Sequence, residues 1–235
     1  MYDVKPTVFV VDDDVSVRES IGLLVESAGW RPELFSCGSK FLERPRVIGP
    51  TCLVLEVVLP DLHGCDLQAL LTDRADMPII FISGHDDVTT TVRAMKAGAV
   101  EFLPKPFGDH AIVCAIRNAI DRSCAALADA TQTRALRESY ARLSPREREV
   151  MALVVSGRLN KQVGSELGIN EITVKAHRGK MMRKMNAGSI CDLVRMASRL
   201  SVVWRPGGPH RSSSCSSTSH PLIAAPTQAS RGRAV

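Results

Sequence analysis

Five short apolar runs recur through the first 122 residues: Thr7–Asp12 (TVFVVD), Pro32–Phe35, Thr51–Leu55 (TCLVL), Pro78–Ile82 (PIIFI) and Val100–Leu103. A strand with one wet face alternates apolar and polar residues, whereas a strand covered on both faces is continuously apolar. These runs are of the second kind. Between them lie stretches with apolar residues at helical spacing. Val15–Ala28 puts Val17, Ile21, Leu24, Val25 and Ala28 on one face and stops at Gly29. Gly64–Arg74 directs Leu67, Leu70 and Leu71 inward, and Asp86–Ala97 and Asp109–Arg122 complete the set. With right-handed crossovers the pattern gives a doubly wound α/β fold, a five-stranded parallel sheet covered by helices on both faces. Ligands in such folds bind at the carboxyl ends of the strands.

After residue 142 the pattern changes. Ser144-Pro145-Arg146-Glu147 is a capping box with proline at the first helical position. Val150, Met151, Leu153 and Val154 follow, and Gly157 ends that helix. Asn160 is expected to cap a short second helix with Val163 and Leu167 inward. Asn170 caps a third that runs to about Met185, and Ser189-Ile190-Cys191-Asp192 opens a fourth. Short helices joined by tight turns predict an all-α helix-turn-helix unit. The divisions are a domain over 5–122, a helical linker over 123–142, a helical domain over 143–203 and a Ser/Pro/Gly-rich disordered tail over 204–235. The linker has neither Gly nor Pro and could continue the preceding helix.

Charge separates along the same divisions. Residues 1–120 carry a net −6, residues 142–204 a net +7 and residues 205–235 a net +4. The basic part is the candidate for nucleic acid, since phosphate neutralisation supplies the sequence-independent part of that binding. No apolar run reaches the ~18–20 residues of a membrane span, and Met1–Pro6 lacks the pattern of a signal peptide. Cys37, Cys52, Cys65, Cys114, Cys124, Cys191 and Cys215 are scattered without a C-x-x-C pair. They predict thiols of a reducing cytoplasm rather than disulfides or a zinc site.

Asp12, Asp13 and Asp14 follow the first strand where a dinucleotide-binding fold would need a glycine-rich turn. Nucleotide binding is therefore disfavoured. Clustered carboxylates suit Mg²⁺, although an aspartate at a helix start also serves as an N-cap. Glu56 follows the third strand, Ser83 the fourth and Lys105 the fifth, all on one edge of the expected sheet. Carboxylates, a hydroxyl and a lysine together can cradle a metal and a phosphoryl group.

This constellation resembles the flavodoxin-like receiver domain of two-component response regulators. The resemblance covers residues 5–122. It implies an acidic pair at Asp12 and Asp13, and Mg²⁺ held by Asp13, Asp12, the acceptor at position 56 and the carbonyl of Val58. Ser83 resembles the hydroxyl that senses the phosphoryl oxygen, Phe102 the aromatic switch, and Lys105, before a cis Pro106, the phosphoryl-pairing lysine. The family's acceptor is aspartate, and this chain has Glu56. Glutamate carries its carboxylate about 1.5 Å farther out, one C–C bond, and phosphoryl transfer does not tolerate ~1 Å misplacement. Three readings stay open. Glu56 occupies the phosphoryl space and pairs with Lys105 or the metal; or the pocket is degenerate and serves partner contact; or Glu56, or a neighbour such as Asp13, is phosphorylated slowly.

On a helical wheel of the third C-terminal helix, Val174, Met181 and Met185 share the core face. Ile172, Thr173, Ala176, Gly179, Lys180 and Arg183 lie opposite, and Lys175 lies at the flank. Small residues flanked by donors suit close approach to a major groove, and a solvated basic face is the alternative. Leu143–Val150, Asn160–Val163, Thr173–His177 and Met182–Met185 resemble the LuxR-type helix-turn-helix. That resemblance implies base-facing Lys175, Ala176 and Gly179, and phosphate contacts from Asn160, Lys161, Thr173, Lys180 and Lys184. Gly164 replaces the family's alanine and is expected to loosen the second helix. The stripe Leu193, Met196 and Leu200 resembles the family's dimer contact, for a homodimer reading half-sites ~10 bp apart. Together the two resemblances imply a cytoplasmic regulator of the NarL/FixJ class, with double-stranded DNA and a sensor histidine kinase as partners and no enzymatic activity of its own. The alternative is a non-DNA module that titrates a kinase or a paralogous regulator.

Overall fold

A computed structural model describes residues 4–84 and 88–202. The first domain alternates β1 (Thr7–Val11), α1 (Val15–Ser27), β2 (Arg31–Phe35), α2 (Gly38–Glu43), β3 (Thr51–Glu56), α3 (Gly64–Leu70), β4 (Ile79–Ser83), α4 (Val88–Lys96), β5 (Glu101–Pro104) and the start of α5 (Asp109–Ala141). All strands are parallel, in the order β2-β1-β3-β4-β5. Successive side chains of a strand point to opposite faces. Phe9, Val11, Leu53, Leu55 and Phe81 therefore fill one core layer, and Val8, Val10, Cys52, Val54, Ile80 and Ile82 the other. That two-sided burial is why the central runs read as continuously apolar.

Several expectations shift at element ends. β3 runs on to Glu56, which places the glutamate in the strand itself. α3 stops at Leu70, leaving that side chain 64% exposed, while Leu67 and Leu71 are buried as expected. α2 has six residues and no helical apolar stripe, so its sequence carries no periodic signal. The segment expected as a linker continues α5, which is one helix of 33 residues.

The second domain contains α6 (Pro145–Val155), α7 (Asn160–Leu167), α8 (Glu171–Met185) and α9 (Ile190–Arg199). Its core joins Val150, Met151, Leu153, Val163, Val174, Met181 and Met185, with Leu136 and Tyr140 of α5 packed against them. The α6 capping box forms as expected, but α7 begins at Asn160 with Leu159 in the cap position. Gly168 ends α7 in the left-handed region (φ 64°), which a side chain would disfavour. Gly164 does not loosen α7: a Cβ there would lie 2.7 Å from the Ile169 carbonyl oxygen, so glycine lets the turn close tightly.

Leu193, expected at a dimer contact, is fully buried in this core, and Met196 and Leu200 pack against it. Leu193 thus serves the domain's own core, whereas Met196 and Leu200 are only partly buried. No helix among the described residues is long and apolar enough to cross a membrane. The expected tail lies outside the described residues.

Candidate functional site: a carboxylate–lysine pocket and a basic helix

β1 and β3 are neighbours in register, with Val11 opposite Leu55, so the next residue on each, Asp12 and Glu56, emerge side by side. β4 delivers Ser83 beside them, and the loop after β5 delivers Lys105 from across the sheet. Lys105 Nζ lies 2.7 Å from Asp12 Oδ2 and 2.6 Å from Glu56 Oε2. The other oxygens are also engaged. Asp12 Oδ1 accepts from the Asp14 amide at 2.9 Å, and Glu56 Oε1 accepts from the Val57 amide at 2.8 Å. Asp12 is fully buried and Glu56 is 6% exposed. Two buried carboxylates side by side are costly unless a cation joins them, and here the cation is the ammonium. Burial alone would lower the Lys105 pKa, but the hydrogen bonds to Asp12 and Glu56 outweigh it and hold the pKa above the ordinary lysine value.

The supporting residues follow the same economy. Asp14 is the α1 N-cap, accepting from the amides of Ser16 and Val17. Asp13 is exposed. Ser83 is buried, and its carbonyl accepts from the Lys105 amide at 2.7 Å. The Lys105–Pro106 peptide is cis, as expected. Phe102 is half-buried with its ring centroid 6.4 Å from that of Phe81. Val58 bridges to His63 across the loop that opens α3. Two partners were not legible in the sequence. Arg18 donates to the carbonyls of Asp12 (2.6 Å) and Asp13 (3.3 Å), pinning the acidic loop. Asp61 accepts from the Ser39 hydroxyl and from the amides of Ser39 and Gly38, and these bonds, the hydroxyl's foremost, bring its pKa down to about 2. The Asp61 contacts depend on two distant loops meeting in space, which no local spacing announces, and the Arg18 contacts are to backbone carbonyls, which side-chain patterns do not reveal.

In the second domain α8 presents Ile172, Lys175, Ala176, Gly179, Lys180 and Arg183 to solvent, as its wheel predicts. Lys175 pairs with Glu171 at 3.1 Å, both well exposed, so the pair is weak. Thr173 donates to the α8 cap Asn170, and Asn160 accepts from Arg178 at 3.0 Å. Lys161 is exposed at the start of α7. Lys184 is committed elsewhere. Its Nζ is 2.7 Å from Glu147 Oε2, inside the α6 capping box. Burial would raise the Glu147 pKa, yet Lys184 and the Ser144 amide hold it below the ordinary glutamate value.

Two family models match the chain: the response regulator receiver domain over residues 8–117, and the bacterial regulatory proteins of the luxR family over residues 141–197. The transcriptional regulatory protein FixJ of Bradyrhizobium diazoefficiens is 36% identical over 196 residues, 83% of this chain and 96% of the relative. The chain is a response regulator of the NarL/FixJ class. The response regulator protein TmoT of Ectopseudomonas mendocina is 42% identical over 201 residues, 85% of this chain and 91% of the relative. The solved structure of the response regulator StyR is similar at a TM-score of 0.72 and 44% identity, covering 83% of this chain and all of that one.

A response regulator with a LuxR-type domain is a DNA-binding transcriptional regulator of a two-component system, and its receiver faces a sensor kinase. Receivers of the family work with Mg²⁺, but the side chains here do not fit it as they stand. Asp12, Asp13, Glu56 and the Val58 carbonyl were expected as ligands. Yet no group of three His, Cys, Asp or Glu side chains among the described residues is placed to hold a metal. Lys105 bridges the two buried carboxylates instead.

Proposed function

We propose that this response regulator binds DNA without needing phosphoryl transfer to its receiver, because Glu56 already makes the contact with Lys105 that a phosphoryl oxygen would otherwise make. The observation that carries this is the 2.6 Å separation of Lys105 Nζ from Glu56 Oε2 in a buried setting. Glutamate at the acceptor position is misplaced for in-line attack by about one C–C bond. The same extra methylene brings its charge to the lysine. A two-state element is shifted only by a group whose interactions differ between the states, and this ion pair is such a group. The inward packing of Phe102 on Phe81 supports the reading.

Mg²⁺ affinity is correspondingly weak, since a cation must compete with Lys105 for Asp12 and Glu56. On DNA, Lys175, Ala176 and Gly179 face bases, while Asn160, Lys161, Thr173 and Lys180 approach phosphates. A homodimer reads half-sites one helical turn, ~10 bp, apart. The protein works in the cytoplasm as a regulator rather than an enzyme, with a receiver over 5–122 and a DNA-binding domain over 143–203.

A mobility-shift titration with and without acetyl phosphate tests the central point. The expected affinity is the same in both, and Glu56→Gln weakens binding about tenfold, within the usual range of coupling between sites. A strong requirement for the phosphodonor in the unaltered chain overturns the proposal.

A further inference from the structure

At the amino-terminal edge of the sheet, the end opposite Glu56, a half-open cleft of about 330 Å³ lies between the segment after α3, the turn after α4 and the middle of α5. That volume is at the lower end of small-molecule sites, which begin near ~300 Å³. Leu71, Met77 and Val100 give it apolar walls, and Gln68, Arg74 and Arg122 give it polar groups.

Those polar groups are poorly satisfied. Nε and Nη2 of Arg74 are buried and donate to nothing. Gln68 is 6% exposed; its Nε2 donates to the Ala94 carbonyl at 3.3 Å, but its Oε1 is buried without a donor. Buried polar atoms in folded proteins are nearly always paired, so orphans call for an account. The surroundings favour an anion. Burial lowers the Arg74 pKa, Asp76 opposes that shift and Arg46 adds to it, and Arg44 also feels the Arg74 charge. The orphans are of both kinds, cationic donors and a neutral acceptor. An occupant that satisfies them carries an anion at one end and a donor at the other.

We propose that this cleft binds a small organic acid. Its carboxylate sits between Arg74 and Arg122, its apolar body lies on Leu71, Met77 and Val100, and its hydroxyl donates to Gln68 Oε1. A planar carboxylate matches the fork of a guanidinium, and the apolar walls disfavour a fully hydrated inorganic anion. The position makes the ligand an effector. Arg122 adjoins Ser123, which accepts from the Thr51 amide at 3.0 Å and donates to the Asp76 carbonyl. The same helix continues to Leu136 and Tyr140 in the DNA-binding core. An acid joined to both arginines ties the segment after α3 to the shaft that carries the second domain.

The test is isothermal titration calorimetry on the full chain with trans-4-hydroxycyclohexanecarboxylate, using cyclohexanecarboxylate, cyclohexanol and inorganic phosphate as comparisons. The hydroxy acid is expected to bind saturably, the plain acid more weakly, and the alcohol and phosphate not at all. Arg74→Gln and Arg122→Gln each weaken the hydroxy acid about tenfold or more, as loss of a charged hydrogen bond does. Gln68→Leu brings the hydroxy acid down to the affinity of the plain acid. Arg122 is exposed, so its variant keeps the fold even if that of Arg74 does not. Absence of saturable binding by either acid overturns the proposal. So do unchanged affinity in the Arg122 variant and phosphate or alcohol binding as tightly as the acids. The site is remote from Glu56, and Glu56→Gln is expected to bind the acid normally, so this test stands apart from the phosphorylation question.

Discussion

Lys105 decides the chemistry of the receiver pocket at the scale of one side chain. Its ammonium offsets two buried carboxylates that would otherwise repel each other, and its raised pKa has a definite consequence for pH. A lysine whose folded pKa is raised contributes stability that is complete below its unfolded value and fades as pH climbs through the folded one. The native chain is therefore expected to melt higher than Lys105→Met from neutral pH up to about 10.5, with the difference shrinking above that value. Melting curves of the two proteins across pH 7–12, followed by circular dichroism, check this. A difference that grows with alkalinity contradicts it. The residue types at the strand ends were legible in sequence, because each lies just after an apolar run. Their partnership was less so. Spacing places Asp12, Asp13 and Glu56 at one edge, but it takes the observed register to show that the lysine, and not a third carboxylate, stands between Asp12 and Glu56.

Elements set how closely those groups approach. Gly64 opens α3 directly against the acceptor strand. A Cβ there would lie 2.7 Å from the Glu56 carbonyl oxygen and 3.0 Å from the Phe81 ring. Its amide also donates to the Val57 carbonyl at 2.8 Å. Gly64→Ala is expected to cost about 1–3 kcal/mol as an overpacked site does, read as a lower urea midpoint at unchanged slope. The strands and most helices were legible because burial on both sheet faces, capping boxes and apolar periodicity are local signals. The α9 stripe shows where such signals end. Leu193, Met196 and Leu200 lie at helical spacing whether they meet a second subunit or their own core, and only the packing distinguishes the two. Lys184 is similar: a basic residue on a basic helix reads as a phosphate contact until the fold brings Glu147 to it.

The whole molecule is charged in opposite senses at its two ends, with a net −6 over residues 1–120 and +7 over 142–204. DNA binding by the basic end carries a salt dependence set by the phosphates it neutralises. Lys180→Ala is expected to weaken binding uniformly across DNA sequences and to lower the slope of log K against log salt by about 1. Lys184→Ala should leave that slope nearly unchanged, since its charge is spent on Glu147. Fluorescence-anisotropy titrations at several salt concentrations separate the two. Joining both ends is α5, whose 33 residues form a rod of about 50 Å. Ser123 is buried in the receiver, Leu136 packs in the second domain, and Arg199 of α9 reaches back to Asp129, Gln132 and Thr133. A continuous helix transmits azimuth as well as distance. One residue inserted between Ser123 and Asp129 turns the DNA-binding face about 100° around the shaft, whereas seven return it to within about 20° of its starting bearing. The α5 shaft therefore gives this regulator a rotational phase, fixed by residue count, in which its two halves are read together.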